Sequence, residues 1–154
     1  MRFKVISLSF ETFSHATEDL NKVLETLMKF IPPEVLKHIK VSRATLSGHY
    51  KNPIEILRIN ITRSDLIDST IKKLASMIND SDKRRLAFEV GRRLDKTGRF
   101  YIRFDKQQAY LGNFLISDKG DSIKVIISIS PRPKDEKSVS QFLKKLGLII
   151  TSEQ

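Results

Sequence analysis

A strict two-residue alternation between Arg99 and Phe104 constrains the fold of this chain more than any other feature. Successive side chains of a β-strand point to opposite faces of its sheet, so one face of this strand would carry Phe100, Ile102 and Phe104. The opposite face would carry Arg99, Tyr101 and Arg103. A strand of this kind needs a sheet whose apolar face is buried and whose polar face is open to solvent. The alternation therefore predicts a sheet that is covered on one side only.

Strand-like and helix-like patterns succeed one another along the rest of the chain. Strand patterns occupy residues 2–13, 37–47, 54–63 and 122–130, and the turn-rich segment 48–53 predicts a hairpin between the second and third. In the first strand, Ile6, Leu8 and Phe10 are expected on the core side. Apolar residues recur at helical spacing after residue 17, after residue 64, from residue 81 to 94 and over residues 135–147. The order β-α-β-β-α-α-β-β-α favours an α+β fold with a mixed, largely antiparallel sheet and helices packed on one face.

The length and composition suit one domain. The chain has 154 residues, of which 40% are hydrophobic, and it has no internal repeat or long linker. We therefore expect residues 1–154 to form a single α+β domain that includes a C-terminal helix over residues 135–147. No apolar run approaches the ~20 residues that a membrane span needs, and the first residues lack the pattern of a signal peptide. These features predict a soluble, cytoplasmic protein without membrane association.

Catalytic and metal-binding motifs are not apparent in the sequence. There is no cysteine, and the three histidines, His15, His38 and His49, are dispersed along the chain. The glycine-rich phosphate-binding loops and the G-x-S-x-G motif do not occur either. We therefore expect no metal, no cofactor and no enzymatic activity.

The strongest functional indication from composition is charge. The chain has 28 basic and 18 acidic residues, which gives a formal net charge of +10. A positive potential of this size attracts polyanions and accelerates their encounter with the protein. Nucleic acid, an acidic protein and an anionic membrane all fit this charge, and so does a protein that is simply kept soluble by it.

The polar face of the strand at residues 99–104 has the chemistry of an RNA-binding surface. Arg99 and Arg103 flank Tyr101, and Lys106 and Gln107 follow directly. Guanidinium and ammonium groups bind phosphates, an aromatic ring can stack on an unpaired base, and an amide can bond a base edge.

Arg43 and Arg58 would extend this surface if their strands neighbour it. Arg84, Arg85 and Arg92 form a second basic stripe on a predicted helix. The alternative for the polar face of the strand at residues 99–104 and for the helical stripe is an ordinary solvated face. A protein–protein adaptor that docks an acidic partner is the competing function, and an exposed apolar patch would favour it.

Three blocks of sequence resemble the archaeal RNA-binding protein family described as predicted exosome subunits. The first is His15-Ala16-Thr17-Glu18-Asp19, and the second combines Gly48-His49 with Asn52-Pro53-Ile54. The third runs from Arg93-Leu94-Asp95 through Arg103-Phe104-Asp105-Lys106-Gln107-Gln108-Ala109-Tyr110-Leu111-Gly112 and is the most specific.

The resemblance implies RNA binding, and partners among RNA-degradation or ribosome-related proteins. It also implies a fold similar to that of the large-subunit ribosomal protein that binds 5S rRNA. The motifs do not say which residues contact RNA. Asp105 is a candidate cap of a short helix that Gly112 would end, and His15 could either help to place the first helix or contact RNA.

Overall fold

Five antiparallel strands form the sheet of this protein, for which a computed structural model describes residues 2–47 and 52–151. The strands are β1 (Lys4–His15), β2 (Val41–Ser47), β3 (Pro53–Ile61), β4 (Arg99–Asp105) and β5 (Ser122–Ser130). Their order across the sheet is β2-β3-β1-β5-β4, so β1 is central and β2 and β4 are the edges. The predicted α+β class is confirmed, and every pairing is antiparallel.

Within the described residues, seven helical segments accompany the sheet and share one hydrophobic core with it. They are α1 (Leu20–Met28), α2 (Pro33–Leu36), α3 (Ser64–Met77), α4 (Asp80–Phe88), α5 (Val90–Arg93), α6 (Lys106–Tyr110) and α7 (Glu136–Lys145). Buried residues of the helices, such as Leu27, Leu74 and Leu143, belong to the same core cluster as the buried strand residues. The helix α7 lies within the segment 135–147 where the sequence predicts a C-terminal helix.

The alternation in β4 has the predicted consequence. Phe100, Ile102 and Phe104 are fully buried, whereas Arg99 is exposed and Tyr101 and Arg103 are partly exposed. The burial of three large apolar side chains fixes the register, because a slip of one residue would move all of them to the solvent face.

One expectation for β1 is wrong, because the strand contains an irregularity that the sequence pattern does not reveal. Leu8 and Phe10 are buried as predicted, but Ile6 is 47% exposed. The pairing of β1 with β5 shifts between Val5 and Ser7, as a β-bulge does. The extra residue turns Ile6 outward and brings the partly buried Val5 against the core in its place.

The helical pattern of residues 81–94 also differs from expectation, since it forms two short helices rather than one. The break falls at Glu89, whose backbone leaves the helical conformation. The predicted hairpin pairing between β2 and β3 is present from Ser47↔Pro53 to Val41↔Ile59. The turn itself, at residues 48–51, lies outside the described residues.

An aromatic cluster joins the helices to the sheet. The ring of Phe30, which follows α1, lies 5.8 Å from that of Phe10, 5.1 Å from that of Phe104 and 5.2 Å from that of Phe114. Such aromatic contacts add stabilisation beyond the area they bury. Phe30 therefore contacts the core side of both β1 and β4.

We expect Phe30→Ala to lower the free energy of unfolding by about 3–5 kcal/mol, because it removes a fully buried ring from a close-packed core. Phe88→Ala is the matched control, since Phe88 is 83% exposed and its loss should change stability by less than about 0.5 kcal/mol. Urea unfolding followed by circular dichroism measures both values. Equal effects of the two substitutions would contradict the described core.

Candidate nucleic-acid interface

A row of charged side chains crosses the open face of the sheet. Arg103 of β4 pairs with Lys124 of β5, Lys124 with Glu11 of β1, and Glu11 with Arg58 of β3. Paired residues of antiparallel strands share a face, so these four side chains lie side by side. Glu11 binds the ammonium of Lys124 at 3.4 Å and the guanidinium of Arg58 at 3.8 Å. One carboxylate thus stands among three cations.

Arg103 and Lys124 are directly opposite one another, and like charges in that position are destabilising. Among residues 2–47 and 52–151, neither Arg103 nor Arg99 forms an ion pair with an acidic side chain. The β4 side of the open face therefore has excess positive charge that an anionic ligand would relieve.

Tyr101 lies between the two arginines and is held by the turn that precedes β4. Its hydroxyl donates a hydrogen bond of 2.9 Å to Asp95 Oδ2, and the ammonium of Lys124 lies 6.0 Å from the ring centre. Burial and the neighbouring Asp95 carboxylate raise the pKa of Tyr101, so the phenol stays neutral at physiological pH. The pKa of Asp95 itself falls to about 2: burial raises it, but hydrogen bonds from the Arg99 amide, from the hydroxyl and amide of Thr97 and from the Tyr101 hydroxyl outweigh that effect.

The two arginines that were expected to extend the surface have different positions. Arg58 is on the open face, although β1 and β5 separate its strand from β4. Arg43 pairs with the fully buried Leu57, which places it on the helix-covered face at the far edge of the sheet. There its guanidinium binds Glu55 at 3.0 Å. Arg43 therefore does not belong to this surface, because it lies on the other face of the sheet.

Lys106 also departs from expectation, because its side chain is buried. Its ammonium donates to the carbonyl of Phe13 at 2.8 Å and to Glu18 Oε1 at 2.9 Å, and lies 3.6 Å from Asp121 Oδ2. Only 8% of the side chain is exposed. An ammonium in this position joins the end of β1, the start of α1 and the start of β5, and it is not available to a phosphate.

His15 and two carboxylates complete the surroundings of Lys106. His15 Nε2 lies 3.1 Å from Asp121 Oδ1, and ligand atoms of His15, Glu18 and Asp121 lie within 4.8 Å of one another. The dispersion of the histidines along the sequence does not predict this cluster, which only the fold assembles. The buried ammonium already balances the two carboxylates, so the arrangement is an ion-pair network. Burial raises the pKa of Asp121, but the hydrogen bond from His15 and the charge of Lys106 lower it to below its usual value.

Gln107 is exposed and lies in a cleft beside this network rather than on the open face of the sheet. The cleft has a volume of about 510 Å³ and lies between α1, α6 and the turn before β5. Tyr110 is at its edge, with the ammonium of Lys29 5.1 Å and that of Lys22 6.0 Å from its ring centre. Lys119 also lines the cleft, but Glu18, Asp19, Asp105 and Asp121 offset the cations there.

The helical basic stripe is largely neutralised. Arg85 and Arg92 bind both Glu89 and Asp118, and the same two carboxylates hold the buried Arg93 at 2.7 Å and 2.8 Å. Burial raises the pKa of Asp118, but hydrogen bonds from Arg93 and Arg92 outweigh burial and hold the pKa below its usual value, so the carboxyl stays ionised. Ionised acids at the centre of the cluster make it a structural link between α4, α5 and the segment before β5. Of the three arginines of the stripe, only Arg84 does not take part in this ion-pair cluster.

The comparison with known proteins agrees with the chemistry of the open face. A family model described as RNA binding matches residues 7–129. The chain belongs to this RNA-binding family. An RNA-binding protein of Pyrococcus abyssi is 35% identical over 134 residues, which cover 86% of this chain and 87% of that one.

Solved structures of the DUF54 family have the same fold. A protein of Archaeoglobus fulgidus superimposes with a TM-score of 0.79 and 29% identity, covering 93% of this chain and 99% of that one. A protein of Methanothermobacter thermautotrophicus superimposes with a TM-score of 0.73 and 25% identity, covering 92% and 97%. No helix of the described residues is long and apolar enough to span a membrane.

Two of the sequence blocks that resemble the RNA-binding family meet at Lys106. Glu18 of the first block binds Lys106 of the third, and His15 of the first lies beside Asp121. The predicted capping role of Asp105 is confirmed, since its carboxylate accepts a hydrogen bond from the Gln108 amide at 2.8 Å. Gly112 ends the helical turn with a φ of 90°, a conformation that glycine adopts without strain. Much of the motif therefore builds the fold that presents β4.

We expect Lys106→Met to lower the free energy of unfolding by about 2 kcal/mol, because it leaves the Phe13 carbonyl without its donor and removes the ammonium that pairs with the Glu18 carboxylate. Lys22→Met, on the exposed side of the same cleft, should change it by less than about 0.5 kcal/mol. Chemical denaturation measures both. If Lys106→Met keeps wild-type stability but weakens RNA binding, Lys106 is an RNA contact after all.

Proposed function

We propose that this protein binds RNA through the open face of its sheet, with Arg99, Arg103 and Arg58 contacting phosphates and Tyr101 contacting a base. The observation that carries the proposal is the cross-strand pair of Arg103 and Lys124, two like charges held side by side with one nearby acid. Such a pair costs stability in the free protein, and phosphate binding offsets that cost. Lys124 thereby joins the proposed surface, whereas Arg43 and Lys106 leave it.

The ion pairs of two other cationic sites also favour the open face as the RNA-binding surface. Arg85, Arg92 and Arg93 are engaged by Glu89 and Asp118, and Lys106 is engaged by Glu18. Gln107 remains exposed in a cleft where acidic and basic groups are balanced, so its contact with RNA is a secondary part of the proposal. Excess positive charge and a partly exposed aromatic ring coincide on the open face near β4.

A salt series separates a local binding site from general attraction to a chain of net charge +10. For single-stranded RNA, log Kd depends linearly on log salt, with a slope of about 0.7 per phosphate contact. The double variant Arg99→Gln, Arg103→Gln should reduce that slope by about 1.4 if each arginine makes one contact. Fluorescence anisotropy of one labelled RNA at several salt concentrations measures it.

The matched control for this experiment is Lys37→Gln, Lys72→Gln. It removes the same charge from two exposed positions on the covered side of the sheet, the C-cap of α2 and the middle of α3. It should keep nearly the wild-type slope. If both double variants reduce the slope equally, RNA binding arises from net charge and the proposed surface is wrong.

We further propose that the protein is a cytoplasmic accessory factor of RNA processing or degradation. The support is the resemblance of the residue blocks around His15 and Lys106 to the predicted exosome subunits. Crosslinking in cells, followed by identification of copurified RNAs and proteins, should recover subunits of the RNA-degradation machinery. Recovery of ribosomal proteins instead of these subunits would indicate a ribosome-related function.

The adaptor remains the second candidate function, and one observation favours it. The open face carries exposed apolar side chains between its central strand and the β2 edge, including Phe13 of β1 and Leu46 of β2. Docking of an acidic protein would use these residues together with Arg58. In the crosslinking experiment an adaptor would recover one protein partner whose association survives ribonuclease treatment.

A further inference from the structure

Phe13 is an exposed aromatic residue on the central strand of the open face. It is 44% exposed, and it pairs with Ile56 of β3. A phenylalanine at this position has no hydroxyl to satisfy and no buried pocket to fill. Its ring therefore leaves apolar surface in contact with water, at a cost of roughly 25 cal/mol per Å².

The neighbours of Phe13 are cationic as well as apolar. Its strand places it one row from Glu11, so it lies diagonally across from Arg58 on one side and from Lys124 on the other. Ile56 and Ala44 continue its own row toward the sheet edge. An aromatic ring between a guanidinium and an ammonium is the combination that binds a base together with its flanking phosphates.

The backbone at Phe13 is held by a buried side chain. Its carbonyl accepts a hydrogen bond from the buried Lys106, whose ammonium also pairs with Glu18 and Asp121. The ring is therefore presented by a strand that is anchored at this residue. A stacking platform needs this kind of support, because a ring that is already ordered loses less entropy on binding.

From these contacts we infer that Phe13 stacks on an unpaired base, and that the ligand of the open face is single-stranded RNA running from Tyr101 across Lys124 to Phe13. The inference rests on the proposed function of the same face. The two rings are two strands and two rows apart, roughly 17 Å from standard strand geometry. A few unpaired nucleotides span that distance, whereas the bases of a regular duplex are stacked on one another and offer no free face to either ring.

The test compares Phe13→Leu and Phe13→Tyr on one short RNA, as a single strand and annealed to its complement. Phe13→Leu keeps an apolar side chain but removes the ring, so affinity for the single strand should fall roughly 5- to 150-fold, the equivalent of 1–3 kcal/mol per stacked base. The salt dependence should stay nearly unchanged, since stacking releases few counterions. Phe13→Tyr keeps the ring and should bind like the wild type. The duplex should bind more weakly than the single strand and be insensitive to both changes.

Phe88→Leu is the matched control, since Phe88 is a more exposed phenylalanine on α4, away from the sheet. A direct readout is ultraviolet crosslinking to the same single strand carrying 4-thiouridine, with the adduct mapped by mass spectrometry. We expect it on the β1 peptide that contains Phe13.

Several results would overturn the inference. These are an unchanged affinity of Phe13→Leu, an equal loss for Phe88→Leu, or an equal loss on the duplex. Analytical ultracentrifugation of the RNA-free protein could give a further contradicting result. If the protein is a dimer that Phe13→Leu dissociates, the apolar patch is a contact between copies of this chain. The proposed function has its own test: it is wrong if the arginine double variant keeps the wild-type salt slope. If the double variant reduces the salt slope as expected and Phe13→Leu leaves the RNA affinity unchanged, only the role of Phe13 is wrong.

Discussion

Burial of one face of the sheet against the helices is the constraint on which the rest of this structure depends. Phe10, Phe100 and Phe104 commit β1 and β4 to a single register, and Phe30 joins them to the helical layer. Once those rings are buried, alternation dictates which side chains must face the solvent. The cations and aromatic residues of the open face are therefore positioned by the core beneath them, and their spacing across the strands follows from the pairing.

The positions of the acidic side chains determine which basic side chains are neutralised and which are not. Carboxylates such as Asp118 and Glu18 are placed where they neutralise Arg93 and Lys106, both of which are buried. An unpaired charge in a buried position would be very costly, so these acids are needed for folding. Near β4 on the open face, water screens the cations, and an acid for each of them is not required. Excess charge can persist there and serve an anionic ligand.

The alternation along a single strand predicted the part of the proposed surface that lies within β4, but it did not predict which side chains of different strands lie together. The face shared by Arg99, Tyr101 and Arg103 follows from a period of two, and the structure agrees. Lys124 and Phe13 also lie on the open-face rows of their strands, so the same alternation could have found them. Alternation with Leu57 and Ile59 places Arg58 on the polar face of β3, but β2 has no such alternation, so only its pairing with β3 shows that Arg43 lies on the covered face.

The sequence by itself determined the α+β class, the order of most elements, the half-buried character of β4 and the cap at Asp105, because each follows from contacts between residues close in the chain. It also carried the motifs that resemble the RNA-binding family. The tertiary structure decided the bulge that exposes Ile6, the burial of Lys106, and the meeting of Arg103 with Lys124 and Glu11. Each of these depends on pairing between strands or on ion pairs between residues far apart in the chain. The energy of such contacts is set by distance in space, which no local pattern encodes.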